Sequence, residues 1–243
     1  MKPYNRDNSK KSEEIEEMFD NIAPTYDMLN HTLSFNIDKL WRARLIRIIK
    51  ANKPRRILDV ATGTGDVAIA LAKKIEGVEV VGVDLSEGML SYAKQKSEAA
   101  NLDSIISFEQ SKAEELKFED GSFDVATAAF GVRNFESAQG GVAQMSRCVR
   151  SGGMVVILEF STPKRSIFAW GYKFYSYKIL PLIASIFAKG HRSAYDYLPA
   201  SVDEFYSPDE FLTLMQSVGL KECRKESLTF GVAHIYMGIK GEL

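Results

Sequence analysis

Residues 56–66 read Arg56-Ile57-Leu58-Asp59-Val60-Ala61-Thr62-Gly63-Thr64-Gly65-Asp66, and the change of texture inside that stretch decides the fold. Its first half is a short apolar run suited to a buried strand. The Thr-Gly-Thr-Gly that ends it marks a sharp bend where a ligand must approach the backbone, and only residues without a side chain tolerate both demands. A helical pattern, Ala68-Ile69-Ala70-Leu71-Ala72-Lys73-Lys74-Ile75, follows at once.

The same strand, turn and helix sequence recurs downstream. A β-branched strand over 78–84 ends at Asp84 and leads into a helix from Ser86 to about Ala100. Short apolar strands follow over 105–110, 123–130 and 154–160. Strands alternating with helices predict a parallel sheet with helices on both faces. Past it, Ser207-Pro208-Asp209-Glu210 combines an N-cap serine, a proline at the first helical position and a glutamate at the third, a capping box. Gly219 closes that helix. Two further strands, around 221–228 and 232–239, are linked too briefly for anything but antiparallel pairing. The expected fold class is therefore α/β, a Rossmann-like, doubly wound, seven-stranded sheet.

Upstream, Ile15, Met18, Phe19 and Ile22 lie at helical spacing until Pro24 interrupts them, and a second helix is expected around Leu40–Ile49. The chain divides into an N-terminal helical cover (1–54), a nucleotide-binding core (55–162), a cap insertion (163–206) and a C-terminal helix with hairpin (207–243). All belong to one domain. The cap, rich in Phe, Tyr, Ile and Lys, is expected over the carboxyl edge of the sheet.

Totals narrow the function. With 31 Lys+Arg against 32 Asp+Glu, the net charge of −1 gives no electrostatic reason to expect nucleic acid. Two cysteines, Cys148 and Cys223, are too few for a disulfide framework and wrongly spaced for a zinc site, so no metal is expected. The polar N-terminus carries no apolar signal core. The most apolar stretch, ten uncharged residues between Lys178 and Lys189, is short of the roughly 20 that cross a bilayer. A cytoplasmic location is expected. The segment 167–189, aromatic and aliphatic with interleaved lysines, reads either as a buried cap helix or as a greasy entrance lying peripherally at the inner face of the membrane.

In doubly wound sheets ligands bind beyond the carboxyl ends of the strands, at the switch point. Asp84 stands 19 positions after Gly65, where a carboxylate accepts both hydroxyls of a ribose. Gly63, Gly65 and Ala68 also satisfy a relaxed dinucleotide fingerprint. Against a pyrophosphate stands Asp59, a carboxylate ahead of the glycines that suits a cationic sulfonium or amino group. Asp66 is expected to cap the following helix where a pyrophosphate would seat. The turn Ser111-Lys112-Ala113 ends the third strand, and there Ala113 leaves room for a base.

At this point the chain resembles the menaquinone and ubiquinone biosynthesis C-methyltransferases. The resemblance is carried by Tyr26-Asp27-Met28-Leu29-Asn30, Ser34-Phe35 and Trp41-Arg42, and by Arg147 through Gly153 with Leu158-Glu159-Phe160-Ser161. Phe130-Gly131-Val132-Arg133-Asn134 is similar to the family's loop after strand four, and Tyr195 through Ser201 to its cap segment. Departures are Asp38, Leu29, Thr62, Lys112, Ala129 and the pair Arg150-Ser151. The resemblance implies that Thr64 and Asp84 bind S-adenosyl-L-methionine, with Asp59, Gly63 and Gly65 shaping the pocket and Lys112-Ala113 beside the adenine. It implies a prenylated quinol as substrate, demethylmenaquinol or its benzoquinol counterpart.

Methylation of a ring carbon needs a base or cation for the developing phenolate. Arg133 is the first candidate, with a salt bridge as its alternative role. Asn134 either orients the acceptor or holds a turn. Tyr26 and Asn30 from the cover and Tyr195 from the cap are candidate substrate contacts; His191 is a lesser one. Rival readings are a methyltransferase for another acceptor, a non-catalytic cofactor-sensing module and a nicotinamide dehydrogenase. The sequence leaves the oligomeric state open, a homodimer included.

Overall fold

Seven strands form one sheet in the order β3-β2-β1-β4-β5-β7-β6. They are β1 (Arg56–Val60), β2 (Glu79–Asp84), β3 (Ile106–Gln110), β4 (Phe123–Ala129), β5 (Val149–Phe160), β6 (Leu220–Leu228) and β7 (Ala233–Lys240). The first five run parallel, and β7 pairs antiparallel with both β5 and β6. The structure is a computed structural model and describes residues 2–7, 9–163 and 192–242. Among them no helix is long and apolar enough to cross a membrane.

The sheet is apolar on both faces because helices cover both. On one side, α3 (Ile37–Ala51) and α4 (Asp66–Lys74) seal a core of Trp41, Leu45, Ile49, Leu71, Ile57, Val80 and Val156. On the other, α6 (Ala138–Cys148) and α8 (Pro208–Ser217) enclose Leu58, Val142, Met145, Phe211 and Tyr236. Alternation along β1 accounts for the split, since Ile57 and Leu58 point to opposite faces. A third cluster joins α1 (Lys11–Ile22) to α5 (Glu87–Ala99) through Ile15, Met18, Ile22 and Met89. α2 (Tyr26–Leu33) and α7 (Arg192–Asp203) are the other α-helices among the described residues.

Element boundaries follow local chemistry. The capping box at Ser207 forms, with Glu210 reaching back to the Ser207 amide at 2.8 Å, and Gly219 takes a φ of +86° beyond the helix. Two expectations need correction. Asp66 does not cap α4: Gly65 is the N-cap, at a left-handed φ of 80°, and Asp66 is the first helical residue. Its carboxylate is instead drawn to Lys96 and Arg42, 2.5 and 3.3 Å away. Likewise β5 begins at Val149 rather than Met154, because Val149 pairs with Phe123 before a bulge restores the register at Met154.

Candidate functional site

The reversal of strand order falls between β1 and β4, and the loops leaving their carboxyl ends diverge there. They touch at one place. A Cβ on Gly131 would lie 2.4 Å from the Cβ of Ala61, so glycine is obligatory at that contact. The β1 loop bends through positive φ at Ala61, Gly63 and Gly65 (55°, 57° and 80°), which explains its two glycines. Thr62 continues the parallel ladder by donating its amide to the Val83 carbonyl at 2.9 Å.

A cavity opens over this bend. Its floor comes from the strand ends: Val60, Ala61 and Gly63 after β1, Asp84 to Ser86 after β2, Ser111 to Ala113 after β3, and Ala129 to Gly131 with Asn134 after β4. Its roof is Ile15, Glu16 and Phe19 of α1, with Tyr26. α1 is fastened above it because Lys11 Nζ donates to the carbonyls of Arg133 and Phe135, at 3.0 and 2.7 Å. Asp20 also accepts from the Ser86 hydroxyl and the Gly88 amide, at 2.5 and 3.0 Å.

Asp84 is the anionic group on the floor. Its Oδ2 accepts the Gly63 amide at 2.8 Å and its Oδ1 the Ser86 amide at 3.0 Å. Burial pushes its carboxyl up, and those amides pull it partly back. A carboxylate with remaining lone pairs, beside a loop bare of side chains, fits a ribose diol. Lys112 and Ala113 lie on the adjoining wall, where the Ser111 amide is held by the Asp84 carbonyl at 3.0 Å.

Asp59 and Thr64 stand elsewhere. Asp59 is beneath the cavity floor, 1% exposed, with the Thr62 hydroxyl donating to its Oδ2 at 2.7 Å and no hydrogen-bond partner for its Oδ1. Burial pushes its carboxyl up to about 7. Asp59 is not among the residues that line the cavity. Thr64 turns its hydroxyl away from the cavity to Asp27 Oδ1, at 2.5 Å. Gly65 shapes the bend without lining the cavity.

The loop after β4 carries Arg133 and Asn134, both buried. Arg133 Nη1 donates to Glu159 Oε1 at 2.7 Å and to the Phe130 carbonyl, while its Nε is buried without a partner. The salt bridge that competed with a catalytic role for Arg133 is thus present, and Arg133 lines an adjoining groove with Lys11 and Tyr197 and not the cavity itself. Asn134 lines the cavity and accepts the Tyr197 hydroxyl at 3.2 Å. Tyr26 lines it too and hydrogen-bonds Asn30. Tyr195 lies on α7. Segment 167–189 and His191 lie outside the described residues. His31 instead pairs with Asp38 at 2.9 Å, and His234 with Ser161 at 2.7 Å, both away from the cavity.

Three residues that matter were not picked out for a role by the sequence reading. Glu159, at 0% exposure, is the partner of Arg133, and a carboxylate inside the apolar run of β5 was its signal, since such a charge must be paired. Lys96 binds Asp27, Asp66 and Thr64 from the last turn of α5, and nothing local marks these partners. Tyr197 was passed over for Tyr195, two positions away on the same helix.

The sequence model of the ubiE/COQ5 methyltransferase family matches residues 7–240. The chain belongs to that family. A demethylmenaquinone methyltransferase of Bacteroides fragilis is 40% identical over 240 residues, 99% of this chain and 97% of the other. The ubiquinone/menaquinone biosynthesis C-methyltransferase UbiE of Geotalea daltonii is 46% identical over 233 residues, 96% and 98% of the two chains. Among solved structures, the [4+2]-cyclase SpnF superposes with a TM-score of 0.71 at 14% identity, covering 95% of this chain and 97% of that one. A SAM-dependent methyltransferase from Thermotoga maritima gives 0.62 at 17%, covering 93% and 99%. At such identities the likeness is one of fold, the Rossmann-like sheet of class I methyltransferases; that a cyclase shares it shows how little fold alone says of chemistry.

Proposed function

We propose that the protein transfers the methyl group of S-adenosyl-L-methionine to a ring carbon of a prenylated quinol, with demethylmenaquinol as acceptor and menaquinol as product. The observation that carries this reading is the Asp84 carboxylate, held by the Gly63 and Ser86 amides in a cavity that Asn134 also lines.

When bound, S-adenosyl-L-methionine supplies an electrophilic methyl on a sulfonium centre. Asp84 holds the ribose hydroxyls, the bare Gly63 backbone admits the nucleoside, and Lys112-Ala113 flank the base. Asp59 favours the cation from beneath the floor. In-line alignment of the two reactants accounts for much of the rate in such a transfer. The acceptor lies against Asn134, between Tyr26 of the cover and Tyr195 of the cap. Its ring carbon becomes nucleophilic as a neighbouring hydroxyl gives up its proton to water at the cavity mouth. Once the carbon bears the methyl group, its own hydrogen leaves as a proton, restoring the aromatic ring, and the phenolate is reprotonated. Asn134 stabilises the negative charge that develops by hydrogen bonding, and Arg133, which lines the adjoining groove and not the cavity, does so through its charge. The cover (1–54), core (55–162), cap (163–206) and C-terminal unit (207–243) divide the work into lid, cofactor site, acceptor site and sheet closure. The isoprenoid tail leaves through segment 167–189, which rests peripherally on the membrane.

A benzoquinol acceptor is the second reading, favoured by the double name that UbiE of Geotalea daltonii carries. Incubation with deuteromethyl-labelled cofactor and a panel of prenylated naphthoquinols, benzoquinols, a sterol and a phospholipid amine tests both. Mass analysis should find the label in the naphthoquinol product. Label only in the sterol or the amine would overturn the reading.

A further inference from the structure

A polar contact from α7 reaches the cavity at Asn134, and that contact decides what Asn134 offers. Tyr197 is 2% exposed on α7, packed in the same cluster as Ile15, Met18 and Met89. Its hydroxyl donates to Asn134 Oδ1 at 3.2 Å. An amide side chain is nearly symmetric in shape, and its two ends differ only in which donates. With Oδ1 committed to Tyr197, the Nδ2 end is the one that remains to donate. Asn134 lines the cavity, so it faces the acceptor as a donor.

The loop bearing Asn134 is itself immobilised. Glu159 holds the Arg133 amide at 3.2 Å from below, and Lys11 holds the carbonyls on either side from above. The Asn134 amide also donates to the Gly131 carbonyl at 2.9 Å. Backbone position is therefore settled without the cap, and the side-chain rotation is what remains for Tyr197 to set. Burial holds the Tyr197 hydroxyl up at about 12, so it stays protonated and remains a donor.

We propose that Tyr197 is a positioning residue, fixing the Asn134 amide so that its NH₂ group points at the oxygen of the acceptor that becomes negatively charged during methyl transfer. This rests on the acceptor reading above. An unfixed amide would present its carbonyl part of the time and repel the developing phenolate. Tyr197 itself touches no reacting atom in this assignment, and its hydroxyl moves no proton.

The test is a double-mutant cycle of Tyr197→Phe and Asn134→Ala, read as kcat and KM on demethylmenaquinol with the full-length enzyme. Tyr197→Phe should lower kcat about 10-fold with KM for the cofactor unchanged, as expected when one oriented donor is lost from a transition state. In the Asn134→Ala background the same change should cost nothing further. A Tyr197→Phe enzyme with wild-type kcat overturns the proposal, as does an equal loss in both backgrounds, which would give Tyr197 its own role. A second readout needs no acceptor: the Asn134 side-chain amide resonances should be sharp in the wild type and broadened in Tyr197→Phe. Resonances alike in the two proteins contradict it. Should the wild type leave demethylmenaquinol unconverted, the acceptor reading fails, and the resonances still decide the role of Tyr197.

Discussion

Asp59 and Asp84 end neighbouring strands, yet they meet different surroundings. Asp84 accepts two backbone amides and reaches the cavity, whereas Asp59 keeps one oxygen buried with no hydrogen bond. Burial, helped by the charge of neighbouring Asp84, outweighs the Thr62 hydrogen bond and the Arg42 charge and pushes its carboxyl up to about 7. In the unfolded chain the same group ionises near pH 4. The folded form holds the proton more tightly, so this contribution to stability is complete at low pH and is lost as pH rises through about 7. Asp59→Asn, neutral throughout, should remove that slope. Between about pH 5 and about pH 8 the wild type should lose roughly 1–3 kcal/mol more than the variant in urea unfolding of the cofactor-free protein. Equal losses would show that Asp59 is already ionised at pH 5.

At the scale of elements, the cover is fastened by charge as well as by packing. Lys96 on α5 reaches Asp27 of α2 at 2.6 Å and Asp66 of α4 at 2.5 Å, with Thr64 between them at 3.2 Å. Burial pulls the Lys96 ammonium down, but its two carboxylate hydrogen bonds outweigh that and hold it above its ordinary value. Lys96→Met would leave Asp27 and Asp66 facing one another, part-buried and without their shared cation. We expect a loss of about 1–3 kcal/mol in stability. Amide hydrogen exchange should quicken in α2 while β1 and β4 stay protected. Unchanged exchange in α2 would mean that packing alone holds the cover.

These elements also show what the sequence could and could not disclose. The strands of the parallel sheet were legible because burial on both faces writes them as continuous apolar runs, and the Ser207 capping box because its parts are local. The start of β5 was not, since Arg150, Ser151 and Gly152 are exposed and read as a turn, although Val149 beside them pairs with Phe123. Asp66 was misread as a cap because a carboxylate at a helix start normally serves there, whereas here its partners come from 24 and 30 residues away. In the site, Asp84 and Asn134 were legible from position after a strand. That Thr64 would turn to Asp27, and Tyr197 to Asn134, depends on the cover and the cap folding over the edge, which no local pattern encodes.

On the scale of the molecule, two layers of helix sandwich a sheet whose carboxyl edge is roofed by α1 and Tyr26. In the proposed function the arrangement separates duties: the switch point of the sheet takes the nucleoside, and the helices packed over that edge select what meets it. Enclosure excludes water from the reacting atoms and strengthens every charge within. It also fixes which atom of the acceptor is presented, and carbon rather than oxygen is the claim on which the account depends. The most direct measurement uses cofactor bearing a carbon-13 methyl group, with demethylmenaquinol as acceptor and the product read by carbon-13 NMR. The account predicts one labelled resonance among the aryl-methyl signals. A labelled resonance among the methoxy signals, or none in the quinone product, would contradict it.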